Sequence, residues 1–249
     1  MSNHPHAFVP QANFLKDKTI LVTGAGDGIG KAAALAYARY GATVILLGRT
    51  TAKLEAVYDE IIAAGGAEPV IHPLDLASAT EDDYRVLGEN IEEQFGQVHG
   101  LLHCAALLGP RTPLQFYPLE SWMKLMQVNV NAAFALSKAL LPALQAAASA
   151  SVIFTSSSVG RSGRAYWGGY SVSKFATEGL MQVMADELRQ TSQVRVNSID
   201  PGGTRTNMRK DAYPAEDPLT LPTPEDRLPL YLYLMSDESM QVTGQALKA

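Results

Sequence analysis

The run Thr43-Val44-Ile45-Leu46-Leu47 is apolar without alternation. A strand with one wet face alternates; one that does not alternate must be buried on both faces. Such a strand requires layers on both sides of its sheet, which is the arrangement of parallel sheets covered by helices. The rest of the sequence supplies those layers. Lys18–Val22, Pro69–Leu74, Val98–His103, Val152–Thr155 and Val194–Ile199 read as further strands, with Thr243–Leu247 as a last one. Between them 30–40, 51–64, 81–95, 121–148, 168–190 and 225–235 read as helices. Gly41, Gly65-Gly66 and Gly96 stop three of them, and Pro142 predicts a break or kink in the longest. This alternation predicts a doubly wound, mainly parallel seven-stranded α/β sheet with helices on both faces.

No composition shift marks a boundary, so residues 1–249 read as a single domain. Residues 1–13 are expected to form a flexible N-terminal extension. Residues 204–224 carry four prolines and mixed charge, and are expected to act as a substrate-side lid. With 47% hydrophobic and 18% charged residues, the chain can fill a sizeable core. A net charge of -5 argues against a nucleic-acid partner. No run approaches the roughly 18 apolar residues of a membrane span, and the N-terminus lacks the apolar core of a signal peptide. The single cysteine, Cys104, excludes an internal disulfide. These features predict a cytoplasmic protein without a membrane partner.

Thr23-Gly24-Ala25-Gly26-Asp27-Gly28-Ile29-Gly30 joins the first strand to the first helix. A helix N-terminus offers free N–H groups and a positive dipole end to a pyrophosphate, and glycines let the backbone approach it. The second strand ends at Gly48-Arg49, where dinucleotide folds selective for NAD carry an acidic residue for the ribose hydroxyls. None stands here. Arg49 can pair with a 2′-phosphate, which favours NADP(H), with NAD(H) as the alternative. Asp75 and Leu76 follow the third strand. Asp75 is suited either to the adenine or to capping its own turn.

Tyr170 and Lys174 lie four residues apart and share one helix face. Of ten tyrosines, only Tyr170 has a lysine at that spacing. An adjacent ammonium is expected to favour the phenolate, giving an acid/base that works near neutrality. Taken alone, such a pair is more often a surface contact. Ser156-Ser157-Ser158 adds weight by following the fifth strand at its C-terminal end, where ligand crevices of open α/β sheets lie.

In these motifs the chain resembles the short-chain dehydrogenase/reductase family, from about Asp17 to Gly244. Thr23-Gly24-x-x-x-Gly28-x-Gly30 is similar to its cofactor motif, and Tyr170-x-x-x-Lys174 to its catalytic motif. The resemblance implies a Rossmann-type sheet. It implies a catalytic serine thirteen residues before the tyrosine, at Ser157, and a catalytic asparagine in Val128-Asn129-Val130. Pro201-Gly202, with Thr204 and Thr206 beyond, is similar to the family's nicotinamide-side motif. Asp27, Ile29, Cys104 and Ala105 fall among its cofactor contacts. The segments 154–161 and 200–206 narrow the resemblance to a bacterial subgroup of oxidoreductases with no firmly assigned substrate. The chain also departs from the family. Cys104-Ala105-Ala106 stands where Asn-Ala-Gly is usual, and Asp27 where many NADP-dependent members carry a basic residue.

The implied chemistry is hydride transfer between a nicotinamide and a carbonyl or secondary alcohol. Tyr170 would exchange the proton, Lys174 would lower its pKa, Ser157 would hold the substrate oxygen and Asn129 would order a relay water. Expected pocket walls are Leu107, Leu108, Pro110, Val159, Tyr166, Trp167 and the segment after Thr206. Arg161, Arg164, Arg205 and Arg209 lie near enough in sequence to draw an anionic substrate, the plainer reading being solvated surface arginines. The stripes Phe175, Leu180, Val183, Met184, Leu188 and Leu125, Val128, Ala132, Leu136 suit a homodimer or homotetramer, or packing on the sheet alone. An NAD-dependent alcohol dehydrogenase and a catalytically idle NADP-binding regulator are the alternatives.

Overall fold

The computed structural model describes residues 7–249. Seven strands run parallel in one sheet: β1 (Thr19–Thr23), β2 (Thr43–Gly48), β3 (Val70–Pro73), β4 (Gly100–His103), β5 (Ala150–Thr155), β6 (Val194–Asp200) and β7 (Ala246–Lys248). Their order is β3-β2-β1-β4-β5-β6-β7, so the winding reverses between β1 and β4. Such reversals open a crevice beyond the carboxyl ends of the strands. The doubly wound sheet expected from the apolar runs is therefore present.

Two apolar layers cover the sheet. On one face α1 (Gly28–Arg39), α2 (Thr51–Ala63) and α8 (Leu228–Met235) bury Tyr37, Leu54 and Tyr231 against Val22, Leu46 and Ile153. On the other α3 (Glu81–Phe95), α5 (Ala132–Ala146) and α6 (Gly168–Leu188) bury Leu87, Leu136 and Met181 against Leu21, Leu101 and Val152. Adjacent residues of one strand thus feed opposite layers, which explains why β2 is apolar throughout.

The helix expected over 121–148 is two helices. An α4 (Leu119–Met126) continues through a π-helical turn, Gln127–Asn131, into α5. Pro142 sits inside α5 without ending it. It lies on the exposed face of the helix, away from the sheet. The segment 204–224 holds a short helix, α7 (Asn207–Ala212), capped by the Thr206 hydroxyl, which accepts from the Arg209 N–H. Of the extension expected over 1–13, residues 1–6 lie outside the described residues. Phe8 is buried at 5% exposure, edge-on to Phe14 and Tyr233. The Phe8 ring thus has an apolar seat within the fold.

The two interface stripes fare differently. Leu125, Val128, Ala132 and Leu136 are all buried within this chain, as are Met184 and Leu188. What α5 and α6 leave exposed is Phe134, Val172, Phe175 and Val183. The long helix spends its first stripe on the sheet and presents a different residue outward. Among the described residues no helix is long and apolar enough to cross a membrane.

Candidate active site

A cleft of about 520 Å³ opens at the reversal between β1 and β4. Its floor is the β1–α1 turn. Gly24 adopts φ +68°, and a Cβ there would lie 3.0 Å from the Ala105 backbone. A Cβ on Gly30 would stand 2.3 Å from the Gly24 carbonyl oxygen. Neither position tolerates a side chain, so the turn is held tight: Gly24 faces the cleft, whereas Gly30, an expected cofactor contact, packs against the turn and does not line it. Gly26, Gly28 and Ile29 line the cleft at the start of α1, whose first turn holds no acidic residue. That dipole end fits a pyrophosphate.

Asp27 is not a bare negative charge in this cradle. Its Oδ1 accepts the Gly28 N–H at 2.8 Å and caps α1. Its Oδ2 is held by Lys53 Nζ at 2.6 Å and by Asn207 Nδ2 at 3.1 Å. The Lys53 hydrogen bond leads in holding the Asp27 carboxyl below its ordinary range. Lys53 escaped the sequence reading, although it lies only four residues after Arg49, in the first turn of α2. Both line the cleft. Arg49 is exposed, and no ion pair or hydrogen bond engages it among the described residues. These residues fit the adenosine end of a phosphorylated dinucleotide. Asp75 also lines the cleft while accepting the Ala77 N–H at 3.0 Å, so it caps its turn at the cleft edge. Leu76 is buried beside it.

The Cys104-Ala105-Ala106 turn forms the opposite wall. At this turn, where the resemblance leads one to expect an asparagine at 104, the bonds that hold the chain come from backbone N–H groups. Cys104 N–H and Ala105 N–H donate to the Thr23 hydroxyl at 2.9 and 3.0 Å, and that hydroxyl donates to Leu102 O at 3.3 Å. Burial pushes the Cys104 thiol up, so it stays protonated.

At the far end stand Ser157, Tyr170 and Lys174, brought together by the end of β5 and the first turns of α6. Lys174 donates to the Thr155 carbonyl at 2.7 Å, and its Nζ lies 5.5 Å from the Tyr170 ring centre. Burial draws the Lys174 ammonium down to about 8. Burial also drives Tyr170 well above the ordinary phenol range, with Asp200 and Cys104 adding to the rise and the Ser157 hydroxyl opposing it. The expected lowering of Tyr170 by Lys174 is thus overturned: desolvation of the phenolate wins, and the lysine is itself weakened by the same burial. Tyr170 is a firmly protonated phenol.

Pro201, Gly202, Thr204 and Thr206 line the cleft after β6, where the Asp200 carboxylate accepts the Gly202 N–H at 2.9 Å. Asn129 stands behind, in the π-helical turn. Its Oδ1 accepts Leu107 N–H at 2.7 Å, and its Nδ2 donates to Leu107 O at 2.9 Å and Ser173 Oγ at 3.0 Å. It ties the loop after β4 to α6. A separate cavity of about 10 Å³, near the least that holds a water, lies between Asn129, Lys174 and His103.

Leu107, Leu108 and Trp167 wall the substrate end as expected, joined by Met208 and Ala212. Pro110 and Tyr166 do not line it. Val159 lies beneath, in a buried cluster with Leu125, Trp167 and Tyr170. Tyr166 is 56% exposed with φ +68°, a left-handed turn that sends the next residue, Trp167, inward. The four arginines are neither free nor simply solvated. Arg161 pairs with the buried Glu178 at 3.0 Å, and Arg209 with Glu216 at 2.6 Å. Arg164 holds Tyr213 Oη at 3.1 Å, and Arg205 holds the carbonyls of Pro218, Leu219 and Leu221. Lys124, which lines the same region, and Arg111 and Tyr213, which pack against Trp167, escaped the sequence reading because no motif marks them.

Comparison with known proteins agrees with this geometry. Residues 18–217 match the family model for short chain dehydrogenase, and the chain belongs to that family of oxidoreductases. It is 51% identical to the oxidoreductase YciK of Escherichia coli (strain K12) over 242 residues, 97% of this chain and 95% of that one. The bacterial subgroup suggested by segments 154–161 and 200–206 is the one to which YciK belongs. Among solved structures, a short chain dehydrogenase from Pseudomonas syringae is 56% identical with a TM-score of 0.95, covering 97% of this chain and 98% of its own. One from Escherichia coli CFT073, complexed with NADPH, is 52% identical with a TM-score of 0.93, covering 96% and 99%.

The Lys174 shift makes a stability prediction. The unfolded chain holds this proton up to about 10.5, whereas the folded protein releases it near 8. The unfolded state therefore binds more protons in that window, and stability from this group rises with pH across it. Relative to K174M, the wild type is expected to gain stability between pH 8 and 10 in urea unfolding. A difference that stays flat over that range overturns the assignment.

Proposed function

We propose that the protein is an NADP(H)-dependent oxidoreductase that moves a hydride between the nicotinamide and a carbonyl or secondary alcohol, with Tyr170 as general acid/base. The observation that carries this reading is a buried phenol beside Ser157 and Lys174, in the same cleft as a glycine cradle. The NADPH-bound relative, half identical in sequence, supports the cofactor. Gly24, Gly26, Gly28 and Ile29 would hold the pyrophosphate, and Arg49 with Lys53 the 2′-phosphate. Lys53 answers the negative charge of Asp27, which otherwise argues against NADP(H). Pro201, Gly202, Thr204 and Thr206 would flank the nicotinamide.

When bound, the nicotinamide supplies or accepts the hydride. The chain supplies the rest. In reduction Ser157 donates a hydrogen bond to the carbonyl oxygen, and Tyr170 gives that oxygen its proton. A raised phenol pKa keeps that proton in place until the oxygen becomes basic. Lys174, fixed on Thr155 O, returns a proton to the phenolate. The cavity between Lys174 and Asn129 has room for the water that recharges Lys174. The apolar patch of Phe134, Phe175 and Val183 on α5 and α6 supports a homodimer or homotetramer through that face.

Tyr170→Phe is expected to abolish NADPH-linked turnover while leaving NADPH binding intact; retained turnover in stopped-flow assays overturns the mechanism. Arg49→Ala and Lys53→Ala should each weaken NADPH by about 10- to 100-fold with NADH little changed, since each removes one charged hydrogen bond to phosphate. Equal losses for both cofactors would remove the phosphate assignment. F134S combined with F175S is expected to lower the mass found by sedimentation equilibrium. An unchanged assembly rules out that face.

A further inference from the structure

One buried carboxylate close to Lys174 plays no part in the steps above. Glu178 lies on α6, four residues after Lys174, so the two share a helix face. Its Oε1 accepts from Arg161 Nε at 3.0 Å, and its Oε2 accepts the Ser198 hydroxyl of β6 at 2.7 Å. Arg161 also donates from Nη2 to the Leu247 carbonyl of β7 at 2.8 Å. The guanidinium reaches Glu178 from the end of the short turn Ser158–Gly160, which is capped by the Ser157 hydroxyl accepting the Val159 N–H. That turn is pressed onto the catalytic helix. A Cβ on Gly160 would stand 2.7 Å from the Lys174 Cβ, and the Ser171 hydroxyl donates to Val159 O at 2.5 Å. The Arg161–Glu178 pair is therefore packed one helical turn from Lys174.

The pair does not cancel itself. The Arg161 side chain is 29% exposed, that of Glu178 only 8%. Water screens the guanidinium, whereas the carboxylate acts through the protein interior, where a charge is felt more strongly. What reaches Lys174 is a net negative field. The other groups that face Lys174 supply little of it. Tyr170, on the same helix, is a protonated phenol. The Cys104 thiol, in the turn after β4, could support the ammonium only as a thiolate, and burial keeps it protonated. His103 of β4 is neutral, drawn down to about 3 by burial. Asp200, at the end of β6, bears on the Tyr170 phenol and accepts the Gly202 N–H. Burial makes Lys174 shed its proton, and the Glu178 carboxylate opposes that loss. An uncharged Lys174 has no proton to return to Tyr170, so near neutral pH the relay depends on a negative charge held nearby.

We propose that Glu178 is a positioning residue of this site, one that holds Lys174 in its charged form for the return of a proton to Tyr170, with Arg161 as the counter-ion that moderates it. The proposal rests on the oxidoreductase reading above and adds a residue to it. The full chain is labelled with carbon-13 at lysine Cε and titrated by NMR from about pH 6 to about pH 10, and K174M identifies the Lys174 resonance by its loss. In E178Q, which keeps the shape of the side chain and removes its charge, the Lys174 midpoint is expected to fall by about half a pH unit or more. In R161Q, which leaves the carboxylate without its counter-ion, the midpoint should rise. R161Q/E178Q should titrate between E178Q and the wild type, because both charges leave together. E178D, which keeps the charge, should stay close to the wild type. A role in packing alone would leave the midpoints where they are or move E178Q and R161Q the same way, and either result overturns the proposal. A cooperative thermal transition reports that each variant is folded; where one single variant is not, the direction of the other decides. The reading beneath the proposal fails separately: NADPH turnover that survives Y170F overturns Tyr170 as the proton donor, while the titrations still judge Glu178.

Discussion

The Thr23 hydroxyl joins the two halves of the sheet at the point where strand order reverses. It sits at the end of β1, accepts two N–H groups from the turn after β4 and donates to Leu102 O. Both strands end here, and a cleft forms only if the turns that follow them are kept apart yet rigid. Gly24 fits against Ala105 with no space for a side chain, so the two turns define each other's position. The same arrangement is compatible with a cysteine at position 104. The bonds that fix the turn run through backbone N–H groups, which every residue but proline supplies. The side chain at 104 is left to fill space beside Lys174 and Thr155.

Burial then sets the chemistry of the cleft. Tyr170 and Lys174 share one desolvated wall, and desolvation acts on them in opposite directions because it penalises whichever form is charged. The phenol is made a weaker acid and the ammonium a stronger one. Their proton affinities, almost equal in an ordinary phenol and ammonium, move apart. A Tyr170 phenolate left by proton transfer is therefore a strong base beside an ammonium that gives its proton up readily, and the return of a proton from Lys174 to Tyr170 is downhill. Helical spacing puts the two side chains together; the apolar surroundings of Val159, Leu125 and Trp167 provide the desolvation.

The sheet was legible in the sequence because its strands carry their burial in their composition. β2, apolar at every interior position, has a single solution. The catalytic groups were legible because chemistry dictates residue type and spacing: glycines at the turn, tyrosine and lysine one helical turn apart. Features made by tertiary contact were not. The π-helical turn at Gln127–Asn131 leaves no mark on the apolar pattern. It is tied in place by Asn129 bonds to Leu107 and Ser173, far away in sequence. The interface stripe read on the long helix belongs to the core, since period alone does not say what covers a face. The direction of the Tyr170 shift was misread for a related reason. Proximity to Lys174 is visible in the sequence, whereas depth of burial is not.

Charges were the least legible feature, and they divide the cleft. Counted along the chain, the substrate end is rich in arginine and the adenosine end carries an acid at Asp27. Paired in space, the balance inverts. Each arginine near the substrate end is matched by a carboxylate, an aromatic ring, a hydroxyl or backbone carbonyls. At the other end Asp27 is answered by Lys53, while Arg49 stays unengaged among the described residues. Among the described residues, Arg49 at one end and Lys124 at the other are left without an ion pair or side-chain hydrogen bond. A charge acts on a ligand only to the extent that its neighbours have left it unpaired. By that criterion the Arg49 end of the cleft is fitted to a phosphate.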